Sequence, residues 1–197
     1  MSRVIVMNHV TLDGVMQAPG RPDEDTRDGF SQGGWASQRS DEGIGNAMGE
    51  RMAAGGGLAG WLFGRRTYED LLSHWNQQPG SGFGPALNGS AKYVASRTLT
   101  EPLAGPNSTL LRGDVAEAVS DIKAQLKGVL AIMGSAELIA SLIAADLIDE
   151  YLLMIHPLVV GKGRRMFPRG VVMSLRLTNS AVTESGVMIA RYERPRD

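Results

Sequence analysis

Apolar residues recur along this chain with two different spacings, and the switches between them mark out its elements. Arg3–Val10 (RVIVMNHV) is short, rich in β-branched residues and stopped by Leu12-Asp13-Gly14, which predicts a strand. Leu58–Phe63 is a second short apolar run. After it Tyr68, Leu71, Leu72 and Trp75 fall at i, i+3, i+4 and i+7, one face of a helix. Strand-like runs return at Lys92–Ser96 and at Leu110 and Leu111. Val115–Lys127 predicts a helix with Val115, Val119, Ile122 and Leu126 on its apolar stripe. Asp114 and Glu117 make a capping-box pattern at its start, and Gly128 closes it. Asp41–Ala54 predicts another helix, weakened by Gly43, Gly45 and Gly49.

The most regular unit is Val129–Met133, then Gly134-Ser135, then Ala136–Ala145 with Leu138, Ile139, Leu142 and Ile143 on one face, then Glu150–His156. Strand, helix and strand in succession predict two parallel strands joined by a right-handed crossover. Met173–Thr183 and Val187–Tyr192 flank Glu184-Ser185-Gly186 as an antiparallel hairpin. About eight strands and four helices make an α/β three-layer sandwich, its central sheet mostly parallel and ending in that hairpin. Two connections are long and glycine-rich, Gln17–Ser40 and Asn76–Gly89. The first has the length of a lid or binding loop. Its Trp35 fits two roles, a cover over substrate or a plug that anchors the loop to the core.

Composition narrows the classes. A chain of 197 residues that is 43% hydrophobic can bury one real core, so residues 1–197 are expected to form a single domain. Its net charge of −1 lacks the basic footprint of a nucleic-acid binder. Without cysteine there is no disulfide, thiolate nucleophile or cysteine-held zinc, which agrees with a reducing compartment. No run approaches the roughly 18 apolar residues of a membrane span. A cytoplasmic protein without membrane or nucleic-acid partners is expected. His9, His74 and His156 show no metal-ligand spacing, and no metal is expected.

Gly55-Gly56-Gly57-Leu58-Ala59-Gly60 matches a dinucleotide fingerprint literally, but it precedes a strand instead of linking strand to helix, so it reads as a flexible connection. The stretch with the right context is WLFGRRTYED. Gly64 ends a strand and permits close approach, and the helix then begins at Arg65, Arg66 and Thr67. Free N–H groups and a positive dipole end already favour an anion there, and arginines oppose that dipole unless an anion is present. Ser96-Arg97-Thr98 and Gly134-Ser135-Ala136-Glu137 follow two other strands in the same manner. Ligands gather at the carboxyl ends of strands in parallel α/β sheets. Three anion-friendly ends therefore point to one ligand with several phosphates, a dinucleotide, with NADPH favoured over NADH. Gly161-Lys162-Gly163-Arg164-Arg165 reads as a glycine turn with solvated cations or as a further phosphate contact.

TLDG at 11–14, GGW at 33–35, FGRRTYE at 63–69, KYVASRTL at 92–99, GSAELIASLI at 134–143, LIDE at 147–150 and HPLVVGKGRRMF at 156–167 occur in order. This set resembles the dihydrofolate reductase superfamily, and within it the stand-alone relatives of the riboflavin-biosynthesis reductase domain. The resemblance implies a dihydrofolate-reductase-like fold, NADPH as hydride donor and a homodimer. It places Gly64 to Thr67 around phosphates, Ser96 to Thr98 on the adenosine side and Gly134 to Glu137 under the pyrophosphate. Asp41 is the candidate for the pterin-anchoring, proton-delivering carboxylate, and its residue type is also the one favoured as an N-cap. Asp13 is the rival and fits an Asp-Gly turn. Trp35 would touch substrate. The implied activity is hydride transfer to a C=N or C=O group of a pterin- or ribosylaminopyrimidine-like heterocycle. The alternatives are an NADPH-binding module without turnover and a reductase of an unrelated small carbonyl compound.

Overall fold

A nine-residue run that buries both of its faces leads the chain: Val4, Ile5, Val6 and Met7 of β1 (Arg3–Thr11) have no exposure at all. A strand of this kind belongs in the interior of a sheet covered on both sides. The computed structural model describes residues 1–78, 80 and 82–195. After β1 come α1 (Glu42–Ala53), β2 (Leu58–Gly64), α2 (Arg65–Asn76), α3 (Phe83–Gly89), β3 (Lys92–Ala95), β4 (Ser108–Leu111) and α4 (Val115–Gln125). Then follow β5 (Val129–Ile132), α5 (Ala136–Ala144), β6 (Glu150–His156), β7 (Arg176–Val182) and β8 (Met188–Glu193). The sheet has eight strands in the order β4-β3-β2-β5-β1-β6-β8-β7. It is an α/β fold, as the spacing predicts.

The chain divides into two interleaved compact units, Met1–Ile5 with Met52–Leu147, and Val6–Arg51 with the chain from Ile148 onward. In the first unit, β2 pairs in parallel with both β3 and β5, and β3 pairs in parallel with β4. Leu62, Phe63, Val94, Leu130, Ala131 and Ile132 from these strands are fully buried. So are Ile139 and Leu142 of α5, whose apolar stripe is the predicted one. Asp114 caps α4, accepting from the N–H groups of Ala116 and Glu117. That helix stops at Gln125, with Leu126 as its C-cap, earlier than the predicted Lys127.

The sequence misses α3, which lies inside the predicted glycine-rich connection. Seven residues give too little period to read. What holds them is tertiary: Lys92, buried in β3, donates its ammonium to the carbonyls of Leu87 and Ser90, both 2.7 Å away, at the helix's C-terminal end. A cation there satisfies carbonyls that the helix leaves open. Burial holds the Lys92 amine below its ordinary pKa. In the strand order β1 stands between β5 and β6, so those two strands are not hydrogen-bonded neighbours.

In the second unit β6 pairs antiparallel with β8, and β8 with β7, which is the predicted C-terminal hairpin. Arg51, at the end of α1, forks onto Glu150 at the start of β6 through two hydrogen bonds of 2.5 and 2.8 Å. Both side chains are buried. The 17–40 connection is no structureless loop. Ala18, Phe30, Trp35 and Ala36 cluster with Val15 and are packed by Leu158 and Val160.

Candidate functional site

The three predicted anion-friendly strand ends are neighbours. Register sets Gly64 opposite Ala95, so α2 begins beside Ser96, while Leu62 is opposite Ile132 one strand over. The Gly64 N–H donates to the Gly134 carbonyl at 3.2 Å. A side chain on Gly64 would collide with the Ser135 hydroxyl, and one on Gly134 with the Thr67 hydroxyl 2.6 Å away. Gly134, at φ +143°, adopts a conformation that suits glycine, and its bond to Ser135 is cis. Ser135 thus sets its hydroxyl against Gly64, and Thr67 its hydroxyl against Gly134.

The α2 N-terminus has no side-chain cap and no acidic residue in its first turn. Its orphan N–H groups are open to an anion. Arg65 is tied to Glu69 on the next turn at 3.0 Å. Arg66 and Arg97 are exposed, and among the described residues neither has an ion-pair or hydrogen-bond partner. Ser96 is partly engaged: its hydroxyl oxygen accepts from the N–H groups of Thr98 and Leu99 at 3.1 and 3.0 Å, closing the turn after β3. The Ser96 and Thr98 hydroxyls also meet at 3.4 Å. Ser135 caps α5 by accepting from Leu138 at 3.4 Å, with Ala136 and Glu137 in the first turn. The residues predicted for a dinucleotide are therefore assembled in one place. The Gly55–Gly60 stretch is not part of it, since it turns into β2 and packs against Gly128.

In the second unit the two predicted carboxylates are already occupied. Asp13 accepts from the Thr11 hydroxyl at 2.6 Å and from the N–H groups of Val160 and Gly161 at 3.3 and 3.0 Å. Arg165 donates to the Asp13 carbonyl and lies 3.8 Å from its carboxylate. Burial would raise the Asp13 carboxyl, but the hydrogen bonds from Thr11, Val160 and Gly161 outweigh it and hold it below the usual range. Asp41 accepts from Gly43 at 2.8 Å, which is an N-cap contact to α1, and from Ser185 in the hairpin turn at 3.1 Å. The N–H groups of Ser185 and Gly43 hold its carboxyl low as well. Each carboxylate joins segments that lie far apart in sequence.

Trp35 is only 4% exposed and donates its indole N–H to the Gln17 carbonyl at 2.8 Å. The buried Gln17 amide donates to the carbonyls of Asp25 and Arg27 and accepts from Arg164. Lys162 reaches the Gly29 carbonyl and Arg164 the Asp28 carboxylate, both at 3.0 Å. The basic turn at 161–165 stays exposed apart from half-buried Arg164, and through Lys162 and Arg164 it also clasps the 17–40 loop.

Sequence reasoning passes over one group here. His9 Nδ1 and His156 Nε2 are 2.8 Å apart, and the edge of Trp35 meets the His156 ring with centroids 5.2 Å apart. Both imidazoles lie at about 4, well below the ordinary 6.5. Burial is the main cause for each; the His156 ring adds to it for His9, and Arg39 for His156. The signal in the sequence was slight, a histidine in each of two apolar strands 147 positions apart. Among the described residues no cluster of metal-ligating side chains occurs, and no helix is long and apolar enough to cross a membrane.

Three comparisons bear on this geometry. The family model of the RibD C-terminal domain matches residues 2–189, running through both units. An uncharacterized Bacillus subtilis protein, YyaP, is 28% identical over 137 residues, covering 66% of this chain and 71% of that protein. Among solved structures, a candidate riboflavin biosynthesis protein of Shewanella sp. PV-4 is similar with a TM-score of 0.67 at 22% identity, covering 98% of this chain and 99% of that one. A pyrimidine reductase-like protein of Corynebacterium diphtheriae gives 0.65 at 10% identity, covering 99% and 92%. A dihydrofolate reductase of Enterococcus faecalis, complexed with NADP(H) and RAB-propyl, gives 0.63 at 14% identity, covering 98% and 97%.

Proposed function

The chain belongs to the RibD C-terminal domain family, and on that premise we propose that it is an NADPH-dependent reductase of a small heterocycle, pterin-like or ribosylaminopyrimidine-like. One observation carries the cofactor. Three adjacent strand ends present an uncapped helix start, two glycines with no room for a side chain, and the unpartnered cations Arg66 and Arg97. That arrangement fits a phosphate-bearing dinucleotide, with Gly64 and Gly134 giving the backbone its close approach. When bound, NADPH supplies the hydride. The chain's own residues bind and orient it: Thr67 and Ser135 offer hydroxyls over the glycines, and Arg66 and Arg97 offer charge to phosphate oxygens.

The test is a fluorescence titration with NADPH and NADH, followed by NADPH oxidation over a panel of pterins, aminopyrimidines and simple carbonyl compounds. NADPH binding with oxidation on one class supports the reading. Absence of binding to the native chain refutes it. The engaged state of Asp13 and Asp41 favours a second reading, an NADPH-binding module without turnover. Tight binding with no oxidation of any compound selects that one. A cytoplasmic homodimer belongs to the same proposal, supported by the family resemblance alone, and light scattering tests the assembly.

A further inference from the structure

The His9–His156 contact has one arrangement of protons that costs least. A 2.8 Å bond between two ring nitrogens needs one donor and one acceptor. His156 is completely buried, and its Nδ1 has no partner. A proton on that nitrogen would be a buried donor with nothing to bond, which is more costly than an unfilled lone pair. The His156 proton therefore sits on Nε2 and is donated to His9 Nδ1. His9 Nδ1 is then an acceptor, so the His9 proton must sit on Nε2.

That second nitrogen is the point of interest. His9 is only partly buried, and among the described residues its Nε2 has no protein partner and is not sealed away. Elsewhere in the same compact unit the Asp13 and Asp41 carboxylates accept from backbone N–H groups, and the Trp35 and Gln17 groups hold the loop. Burial of both rings and the positive Arg39 beside His156 keep the pair neutral. The His9–His156 pair thus presents an N–H donor of fixed tautomer, uncharged, with its capacity unfilled.

We infer that His9 is a substrate-recognition residue whose Nε2–H donates to a neutral acceptor, a carbonyl oxygen or imine nitrogen of a heterocycle, while His156 fixes its tautomer from behind. The inference rests on the reductase reading for the class of ligand. It selects a ring carrying C=O or C=N over an anionic group, because the donor is uncharged. His9 touches the ligand, and His156 is the positioning residue.

Two substitutions separate the two nitrogens. His9→Asn puts an amide oxygen near the Nδ1 position, keeping the bond from His156 and losing the outward donor. His9→Gln places an amide N–H near the Nε2 position, keeping the outward donor and losing the inner bond. The probes are dihydrofolate and 5,6-diaminouracil, titrated into the full chain and followed through the ¹⁵N resonances of both histidines. Expected are Nε2-protonated tautomers for both rings without ligand and a shift of His9 Nε2 on adding at least one probe. Affinity should fall about tenfold or more in His9→Asn and stay within about threefold in His9→Gln. Thermal stability should follow the opposite order. A proton on His156 Nδ1 overturns the inference, as does a His9 Nε2 resonance that neither probe moves. A purely structural His9 would leave binding intact in His9→Asn and damage it together with stability in His9→Gln. If probes shift His9 but NADPH neither binds nor is oxidised, the reductase reading fails and the donor stands.

Discussion

Gly64 and Gly134 meet backbone to backbone at 3.2 Å, and each excludes a side chain because of a hydroxyl on the other's flank. Gly64→Ala places a methyl group against Ser135, and overpacking of this kind costs about 1–3 kcal/mol. Ser135→Gly removes both the obstructing hydroxyl and its Cβ. The double variant should therefore recover part of that loss, as a positive coupling in a urea-unfolding cycle. Equal and additive losses would show that the junction yields in some other way.

The unpartnered arginines give the cofactor prediction. Arg66→Ala with Arg97→Ala should weaken NADPH binding by ten- to a hundred-fold or more, since charge-assisted hydrogen bonds are worth about 1.5–3 kcal/mol each. NADH binding should change far less if one of them meets the extra phosphate. Because both side chains are exposed without partners, stability should stay within about 0.5 kcal/mol. Unaltered NADPH affinity would remove the phosphate assignment.

What could be read in the sequence divides along physical lines. β1, β2, β5 and β6 were legible because buried strands are short apolar runs with clear stops, and α5 because four apolar residues share one face. Gly64 and Gly134 were legible too, because strand, glycine and helix start form one local signal. By contrast, α3 depends on Lys92 reaching back to its end, and nothing within its seven residues says so. The 17–40 loop read as a lid or binding loop from its length. What the sequence does not show is the tie of its buried Gln17 to Arg164, 147 positions away. The spacing of histidines could not show that two of them meet.

Arg51 and Glu150 provide a test of the second unit. Their forked contact is buried, so removing one partner strands a charge. Glu150→Ala should cost about 3–5 kcal/mol, while Arg51→Met with Glu150→Leu should be close to neutral. Chemical denaturation measures both. A small loss in Glu150→Ala would mean that water reaches the guanidinium.

The two buried rings predict a loss of stability on the acid side. The folded imidazoles titrate at about 4, whereas in the unfolded chain each titrates near 6.5. Between those values the unfolded chain binds more protons, so stability is whole above pH 6.5 and falls as the pH drops toward 4. Each imidazole contributes a slope of about 1.4 kcal/mol per pH unit inside that window. Asp13 and Asp41 are held below 3.8 and act only further down, so they do not confuse the interval. Urea midpoints taken from about pH 7 to about pH 5 should therefore decline steeply in the native chain. His9→Asn, which keeps the inner hydrogen bond but cannot titrate, should lose about half of that slope. His156→Gln, whose amide N–H can replace the Nε2 donor, should do the same, and the double variant should be nearly flat. A native profile already flat over this range would mean that the pair takes up protons without opening, and that neutrality is not what holds His9 and His156 together.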